Sequence, residues 1–402
     1  MSGKPSQVQI MRPSARSWAT TWATMRTVTL GSLGVLVVAC TRAATEAVST
    51  SDPTVQEFSL QYPGQASPPV GSTHEITYNQ NGGRSFWLTA PSYNSIVNLQ
   101  LDGTASHFVL ASTTVGKTTN PTAPHGIDFN PAGQMFVSLE GTREVARVST
   151  SGSTKGTIEV VYPLTTADPH GLGIDPDGTT IWVTGKSANN IARVTLTPSG
   201  TPGREPTGTV EEYALPSSGS TPIYIRAGAD GNMWFTELTG NRIGRINKTG
   251  RSSLREFVIP TLNSRPIAIV ADPLGRGMWF TEEAGNKVGF IGFDQVIVEF
   301  PVPKSQSNSI LGGLAFDGDG NLWIQQYVNQ DPLSGSTNGT DYVIKLAKSA
   351  LYASPTQLTA SNFTFVPVPT QKTEMHRITE GPDGNMWFTE LNKNKVGKVI
   401  IR

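Results

Sequence analysis

One phrase recurs along the chain and constrains its fold more than any other feature. Its clearest copies are DGNMWFTELTGNRIGRI at 230–246 and DGNMWFTELNKNKVGKV at 383–399. Five more diverged copies begin near residues 82, 132, 177, 274 and 319, so the unit occurs seven times, at intervals of about 45 residues or more. The unbroken series predicts one repeat architecture rather than two smaller β domains.

Each unit contains four strand signals separated by turn signals. An apolar strand runs into an Asn/Asp-Gly turn, the WFTE strand returns, and IGRI-type and EFxxP-type strands follow. Runs of four to six alternating or apolar residues indicate strands, and no convincing amphipathic helix follows residue 54. The sequence therefore predicts an all-β chain folded as a seven-bladed β-propeller with four-stranded blades.

The order of the strand signals also predicts how the ring closes. The repeat region, 55–402, starts with an EFxxP strand at 57–63 and ends on an IGRI-type strand at 395–402. The last unit therefore lacks its fourth strand. If the N-terminal strand joins the C-terminal blade, it completes that blade and removes the exposed edges of an open array. A closed ring of this kind favours a monomer.

Composition excludes several classes of protein. The 31 Lys and Arg residues balance 31 Asp and Glu residues, and the chain has one cysteine. The absence of a basic excess argues against nucleic acid as a main partner. The single cysteine excludes a disulfide scaffold and a zinc ribbon.

The N-terminal segment has the pattern of an export signal. Residues 1–39 contain basic but no acidic residues, and their apolar run at 27–39 is too short for a membrane span of about 20 residues. The run ends at Cys40 in a pattern that resembles the lipobox of bacterial lipoproteins; an ordinary signal peptide is the alternative. We predict a signal segment over 1–40 that is cleaved before Cys40, a flexible tether over 41–54, and an exported protein, either secreted or anchored to the cell envelope by a lipid on Cys40.

Four of the five histidines occupy one repeat position. This position lies eight residues before the turn glycine, at the predicted start of the first strand, which lines the channel of a propeller. Its histidines are His74, His125, His170 and His376. They belong to blades 1, 2, 3 and 7, which are adjacent in a closed ring. The first three are predicted to line the channel, to contact substrate or to form a second metal site.

Carboxylates are predicted on the same face as these histidines. The second strand ends there, and three units end it with a glutamate: Glu237, Glu282 and Glu390. Since Glu374 precedes His376 by two residues, blade 7 offers Glu374, His376 and Glu390 together. Such a group can bind a divalent cation, and a neutral imidazole can act as a general base. Glu237 and Glu282 are candidates for substrate contact or for structural hydrogen-bond acceptors.

The recurring GPDGNMWFTE…NKVGKV phrase over most of 55–402 resembles the virginiamycin B lyase family, also called streptogramin B lyases. The resemblance implies a carbon–oxygen lyase linked to antibiotic resistance, which uses Mg²⁺ to open the ester of a cyclic depsipeptide by elimination. In this family the catalytic blade carries Glu-x-His with a further Glu fourteen residues after the histidine. By resemblance, His376 would be the proton acceptor, and Glu374 and Glu390 would hold the magnesium ion.

Blade 6 departs from the family's pattern. Gly312 stands where the family has a second histidine that contacts substrate, Gln326 replaces the strand-two glutamate, and an insertion at 327–342 follows. Two other functions remain open at this point: a non-catalytic binding propeller at the cell envelope and a lactonase-type hydrolase. An enzyme of the predicted kind would take a small molecule or a cyclic peptide as its substrate.

Overall fold

Seven four-stranded antiparallel sheets form the blades of a β-propeller, as the repeat predicted. The computed structural model describes residues 52–62, 73–81, 83–111, 121–166, 168–197, 207–331, 333 and 336–401. All of them belong to one unit, Ser51–Arg402. The predicted signal segment and the predicted tether up to residue 51 lie outside these ranges. Within them, no helix is long and apolar enough to cross a membrane.

Blades 1 to 4 each take four consecutive strands of the chain. Blade 1 contains β2 Ile76–Tyr78, β3 Ser85–Ala90, β4 Ser95–Gln100 and β5 Ala105–Val109. Blade 2 contains β6 Pro124–Phe129, β7 Met135–Leu139, β8 Glu144–Val148 and β9 Ile158–Pro163. Blade 3 contains β10 Pro169–Ile174, β11 Thr180–Gly185, β12 Asn190–Thr197 and β13 Thr207–Ala214. Blade 4 contains β14 Pro222–Ala227, β15 Met233–Glu237, β16 Arg242–Ile246 and β17 Arg255–Val258.

Blades 5 to 7 complete the ring. Blade 5 contains β18 Pro266–Ala271, β19 Gly277–Glu282, β20 Lys287–Gly292 and β21 Ile297–Pro301. Blade 6 contains β22 Ser309–Phe316, β23 Leu322–Val328, β24 Tyr342–Leu346 and β25 Phe363–Pro367. Blade 7 contains β26 Met375–Glu380, β27 Met386–Glu390, β28 Lys395–Ile400 and the N-terminal β1 Thr54–Ser59. The described helices are one α-helical turn, α1 Lys348–Leu351, and short 3-10 segments at Pro91–Tyr93, Gly152–Thr154, Gly250–Ser253, Pro355–Gln357, Ala360–Asn362 and Leu391–Lys393.

The predicted closure between the N-terminal strand and the C-terminal blade is confirmed. Strand β1 pairs antiparallel with β28, from Thr54 opposite Ile400 to Ser59 opposite Lys395. Glu57 of β1 accepts hydrogen bonds from the Thr370 backbone N–H at 2.8 Å and from Lys395 Nζ at 2.7 Å. Strand β1 begins at the last residue of the predicted tether.

Buried tryptophans in six blades, and Phe136 in blade 2, pack each blade against the next one, as expected for the tryptophans from their shared repeat position. Trp387 of blade 7 has no exposed surface and packs with Phe86 and Leu88 of blade 1. Its indole N–H donates to Asp383 Oδ1 at 3.0 Å, which satisfies the one polar atom that packing would otherwise bury without a partner. The core is therefore a series of layers between blades.

Blade 6 differs in detail from the sequence prediction. Strand β23 continues through Tyr327 to Val328, and β24 begins at Tyr342, so the connecting loop is shorter than the predicted insertion of 327–342. Asp341 Oδ1 accepts the Val328 N–H at 2.8 Å and fixes the end of the longer strand. The turn of helix α1, between β24 and β25, was not predicted.

Candidate functional site at the channel mouth

A β-bulge near the start of the first strand contains the channel histidine in blades 2, 3 and 7. In blade 3 the pairing of β10 with β11 shifts between Pro169 and Leu172, so His170 and Gly171 both lie opposite Thr184. Thr184 Oγ1 accepts the Gly171 N–H at 2.8 Å. The first strands of blades 2, 4, 5, 6 and 7 carry the same kind of shift. Because a bulge redirects the side chains around it, this repeated irregularity sets what the channel presents.

Hydroxyl groups on the second strand hold the channel residue of the next blade. The hydroxyl donates to the backbone carbonyl of that residue in the pairs Thr389–His74 at 2.9 Å, Thr89–His125 at 2.7 Å and Ser138–His170 at 2.7 Å. Blade 6 has Gln325 instead, and its Nε2 donates to the carbonyl of Arg377 at 3.0 Å. His376 is therefore placed by a different contact from the other three histidines.

The structure brings the four channel histidines together in one row, which we call the histidine ladder. Ring centroids are separated by 3.8 Å from His376 to His74, by 3.8 Å from His74 to His125, and by 3.5 Å from His125 to His170. Burial, together with neighbouring positive charge, lowers the pKa of all four imidazoles below the ordinary value. The ladder is therefore neutral near pH 7.

Glycines allow the strands that carry the ladder to approach closely. A Cβ atom on Gly126 would lie 2.5 Å from the His170 carbonyl oxygen, and one on Gly171 would lie 2.3 Å from the Ile223 carbonyl oxygen. Neither separation is possible for a real side chain, so these positions require glycine. The same close approach brings the rings of neighbouring blades into contact.

A buried ion pair between blades 1 and 7 lies beside the ladder, and the sequence analysis missed it. Arg377 Nε lies 2.8 and 2.9 Å from the two oxygens of Glu75. Glu75 Oε1 also lies 3.5 Å from His74 Nδ1 and 3.5 Å from His376 Nε2. Arg377 and the two imidazoles hold the pKa of Glu75 well below its ordinary value, although burial acts against them. Glu75 is therefore an ionised hub for both histidines.

A repeat-level signal for this ion pair exists in the sequence. The residue after the histidine position is glycine or alanine in blades 2, 3, 5 and 6, but Glu75, Tyr224 and Arg377 in blades 1, 4 and 7. These three exceptions meet in the channel, because the Arg377 guanidinium lies over the Tyr224 ring at 4.1 Å from its centroid. Arg226 lies over the same ring at 4.2 Å. Departures from the repeat thus identify residues that interact across the channel.

The predicted blade 7 residues occupy three different environments. The side chain of His376 is 15% exposed at the mouth of the channel. Glu374 has a left-handed backbone with φ of 49°, and its carboxylate accepts a hydrogen bond from Asn392. Glu390 has no exposed surface, and among the described residues neither of its oxygens has a hydrogen-bond partner. Burial raises the pKa of Glu374, and raises that of Glu390 to about 8.

In the described part of the chain, two groups of ligating side chains have their donor atoms within 4.8 Å of one another. They are His74, Glu75 and His125, and His125, Glu140 and His170. The predicted trio of Glu374, His376 and Glu390 is not one of these groups. Its role in magnesium binding stays a prediction.

Glu237 and Glu282 lie inside the protein rather than on the channel wall. Both have no exposed surface, and a Cβ on Gly240 or Gly285 in the following loop would lie 3.0 or 2.8 Å from their respective Oε2 atoms. Burial raises the pKa of Glu237 to about 7 and that of Glu282 to about 8. Their oxygens have no hydrogen-bond partner among the described residues, so both the structural acceptor role and a contact with substrate remain predictions.

A second polar group faces the mouth between blades 5 and 7. Arg265 Nε pairs with Glu283 Oε2 at 2.7 Å, and Tyr327 donates its hydroxyl to Glu283 Oε1 at 3.4 Å. The negative charge of Glu283 adds to the burial that raises the pKa of Glu374. Tyr327, on blade 6, therefore lies between the Arg265–Glu283 pair of blade 5 and the blade 7 site.

A separate cavity of about 350 Å³ opens at the opposite end of the first strands. Its lining includes Tyr78, Asp128, Phe129, Ile174 and Thr379. Since the histidines stand at the beginning of these strands, the cavity and the ladder belong to different ends of the channel.

Fold and site together define a β-propeller with a histidine-lined channel and carboxylates at one mouth. The model of the virginiamycin B lyase family matches residues 19–331, and the chain belongs to this family. Over 236 residues it is 29% identical to the virginiamycin B lyase of Nocardia farcinica (strain IFM 10152), covering 51% of this chain and 76% of the relative.

Solved structures of the same family have a similar fold. A streptogramin B lyase structure superposes with a TM-score of 0.67 at 26% identity, covering 87% of this chain and 98% of the other. The virginiamycin B lyase of Staphylococcus aureus superposes with a TM-score of 0.66, also at 26% identity, over 87% of this chain and 100% of the other.

Proposed function

We propose that this chain is a carbon–oxygen lyase of the virginiamycin B type, which opens the ester of a cyclic depsipeptide by elimination. The proposal rests on the position and environment of His376. It is a neutral, partly exposed imidazole at the channel mouth, with Glu374 two residues before it and Glu75 at 3.5 Å behind it. Membership of the family supports the same class of reaction.

In the proposed reaction His376 acts as the general base. It takes the proton from the carbon that lies α to a carbonyl, and the C–H electron pair forms a carbon–carbon double bond to the neighbouring carbon. The bond from that carbon to the ester oxygen breaks, and the acyl part leaves as a carboxylate. Because burial keeps the pKa of His376 low, the imidazole is already unprotonated at neutral pH and can accept the proton.

Glu75 is the positioning residue for this base. An N–H of His376 directed at Glu75 would leave the other ring nitrogen with a free lone pair. After proton transfer, the Glu75 carboxylate would stabilise the imidazolium. The separation of 3.5 Å is longer than a strong hydrogen bond, as catalytic contacts often are before substrate binds.

The chemistry of the donors in blade 7 fits a magnesium ion. Glu374 and Glu390 offer carboxylate oxygens, the ligand type that Mg²⁺ prefers, and both Glu390 oxygens are buried without a hydrogen-bond partner among the described residues. Asn392 donates to Glu374 Oε2, which leaves Oε1 available to a cation. When bound there, Mg²⁺ would stabilise the negative charge that develops on the carbonyl oxygen as the proton leaves.

The mass of the product tests the proposal against hydrolysis. The full chain is incubated with a streptogramin B ester and Mg²⁺, and the product is analysed by mass spectrometry. Elimination gives a linear product of unchanged mass, whereas a lactonase-type hydrolase would add one water. Ring opening that requires Mg²⁺ and is lost in His376→Ala supports the lyase. Binding of the ester without any turnover would instead support a binding propeller.

Export and lipid anchoring remain proposals that rest on residues 1–40. Labelling with a fatty acid and fractionation of expressing bacteria test them, with Cys40→Ser as the control variant. Loss of label and release from the membrane fraction in Cys40→Ser are expected. A label that persists in Cys40→Ser would show that Cys40 does not carry the lipid.

A further inference from the structure

Two histidines of the ladder and one glutamate lie within reach of a single cation, away from the predicted blade 7 site. One donor atom from each of His125, Glu140 and His170 lies within 4.8 Å of the other two. We propose that these three side chains bind a divalent transition-metal ion of the Zn²⁺ class. The site takes residues from blades 2 and 3 only.

A backbone carbonyl fixes which nitrogen of His170 faces the proposed ion. His170 Nδ1 lies 3.1 Å from the Ile223 carbonyl oxygen, which can only accept a hydrogen bond, so Nδ1 carries the proton. In a neutral imidazole, Nε2 then has the free lone pair. Nε2 is the atom that faces Glu140, at 3.9 Å from Oε1. Metal-ligating histidines are commonly oriented in this way, by a hydrogen bond from the second ring nitrogen.

When Glu140 is ionised, its carboxylate and His170 Nε2 therefore face each other as two acceptors. Glu140 Oε1 is buried and has no hydrogen-bond partner among the described residues, and the 3.9 Å to His170 Nε2 is too long for a hydrogen bond. In a tetrahedral zinc site the nitrogen and oxygen ligands would be about 3.4 Å apart. A small rotation of Glu140 would close that difference.

His125 supplies the third ligand. It is 4% exposed, and its Nδ1 is buried without a hydrogen-bond partner in the described residues. The alternative group, which joins His125 to His74 and Glu75, is less suitable because both oxygens of Glu75 already contact Arg377. The carboxylate of Glu140 is not neutralised in this way.

The donor set selects the kind of metal. Two neutral imidazoles and one carboxylate suit zinc and its neighbours in the first transition series, whereas Mg²⁺ prefers an all-oxygen site. The positive charge of Lys186 and the negative charge of Asp168 act on Glu140 in opposite directions. Burial raises the pKa of Glu140 to about 7, and a cation bound beside it would favour the ionised carboxylate. Three protein ligands would leave a fourth position open to water or to a ligand from the channel.

Cobalt, which replaces zinc and absorbs visible light, provides the test. The metal-free full chain is titrated with Co²⁺ alone while the visible spectrum is recorded. We expect one equivalent to bind with the ligand-field bands of a low-coordinate site, Zn²⁺ to displace it and excess Mg²⁺ not to. Glu140→Gln and His170→Ala should weaken the binding by about 10-fold or more.

Glu283→Gln is the matched control, since Glu283 occupies in blade 5 the position of Glu140 in blade 2. It should leave the cobalt spectrum unchanged. Glu140→Gln keeps the shape of a partly exposed side chain, so it gives a folded variant if His170→Ala does not fold. Absence of saturable binding, or binding that a folded Glu140→Gln retains, would overturn the proposal. The loss of the bands in Glu140→Gln identifies the site, and no substrate enters the measurement, so its result is independent of the proposed lyase activity.

Discussion

Glu75 and Arg377 form a buried ion pair across 302 positions of the chain, and the pair joins the first blade to the last. Both residues follow a channel histidine directly. The pair therefore connects the histidine ladder to the closure of the ring, and its removal should affect both.

Glu75→Gln should destabilise the protein and slow the proposed elimination. Loss of the carboxylate leaves the Arg377 guanidinium buried without a counter-charge, which typically costs about 3–5 kcal/mol. Glu75 also raises the pKa of His376, so its removal should lower that pKa further and move the acid limb of the kcat/KM profile to lower pH. Denaturant unfolding and a pH–rate profile measure the two effects.

The double variant Glu75→Gln/Arg377→Met separates these effects. It removes both charges, so much of the lost unfolding free energy should return. Because the charge of Arg377 lowers the pKa of His376, its removal should also move the acid limb back to higher pH than in Glu75→Gln. A pH profile identical to that of the wild type in both variants would show that Glu75 does not act on the base.

His376→Ala should abolish turnover and leave the fold intact. A positioned general base contributes roughly 10²- to 10⁴-fold to rate, and His376 is partly exposed, so its loss should not open the core. His107→Asn, at the histidine outside the ladder, is the control and should retain full activity. Equal activity of the two variants would remove His376 from the mechanism.

Glu237→Gln should stabilise the protein at alkaline pH. Burial raises the pKa of Glu237 to about 7, so its folded-state contribution is complete below the ordinary pKa of 4.5 and is lost as pH rises through about 7. Glutamine mimics the protonated form. We expect equal stabilities near pH 4.5 and a gain on the order of 3 kcal/mol for the variant at pH 8, from urea unfolding. A variant that is less stable at pH 8 would mean that the ionised carboxylate has a role.

Thr89→Val should destabilise the contact between blades 1 and 2. The hydroxyl donates to the His125 carbonyl at 2.7 Å and accepts from the Glu75 N–H at 3.1 Å. Leaving these buried groups without a partner typically costs about 1–3 kcal/mol. Thr209→Val, at an exposed position of β13, is the matched control and should change the unfolding free energy by less than about 0.5 kcal/mol. Equal effects would show that the hydroxyl does not hold the next blade.

Removal of β1 should open the ring. A chain that starts at Gln61 lacks the partner of β28 and the contacts of Glu57, and it leaves an exposed strand edge that favours aggregation. A chain that starts at Pro53 keeps β1 and is the control. Thermal unfolding and size-exclusion chromatography should show a lower melting temperature and aggregates only for the shorter chain. Equal melting temperatures would mean that β1 contributes little to closure.

The repeat made the fold predictable from sequence. In the six units whose turn glycine lies in the described part of the chain, that glycine has the left-handed φ that such a turn requires, for example 74° at Gly231 and 71° at Gly384. The histidine position was predictable for the same reason, since equivalent positions in equivalent blades point into one channel. Both the turn and the histidine position follow from the sequence of one unit and from the rotation that relates one blade to the next.

The environment of the carboxylates was harder to predict. Glu390 pairs with Met375, and the bulge that follows changes the alternation of side chains on that strand. The alternation of side chains along a regular strand therefore could not predict whether Glu390 points to the same side of the sheet as His376. The ion pair of Glu75 with Arg377 joins two blades from opposite ends of the chain, and no pattern within one unit contains it.

Blade 7 is the only blade assembled from both ends of the repeat region, and it is also the blade that carries His376. A partly synthesised or proteolytically shortened chain can form blades 1 to 5 complete, yet it still lacks the proposed base and the strand β28 with which β1 pairs. Catalytic competence would therefore arise in a single late event, when the two ends meet. An activity assay on this protein would at the same time report whether its ring had closed.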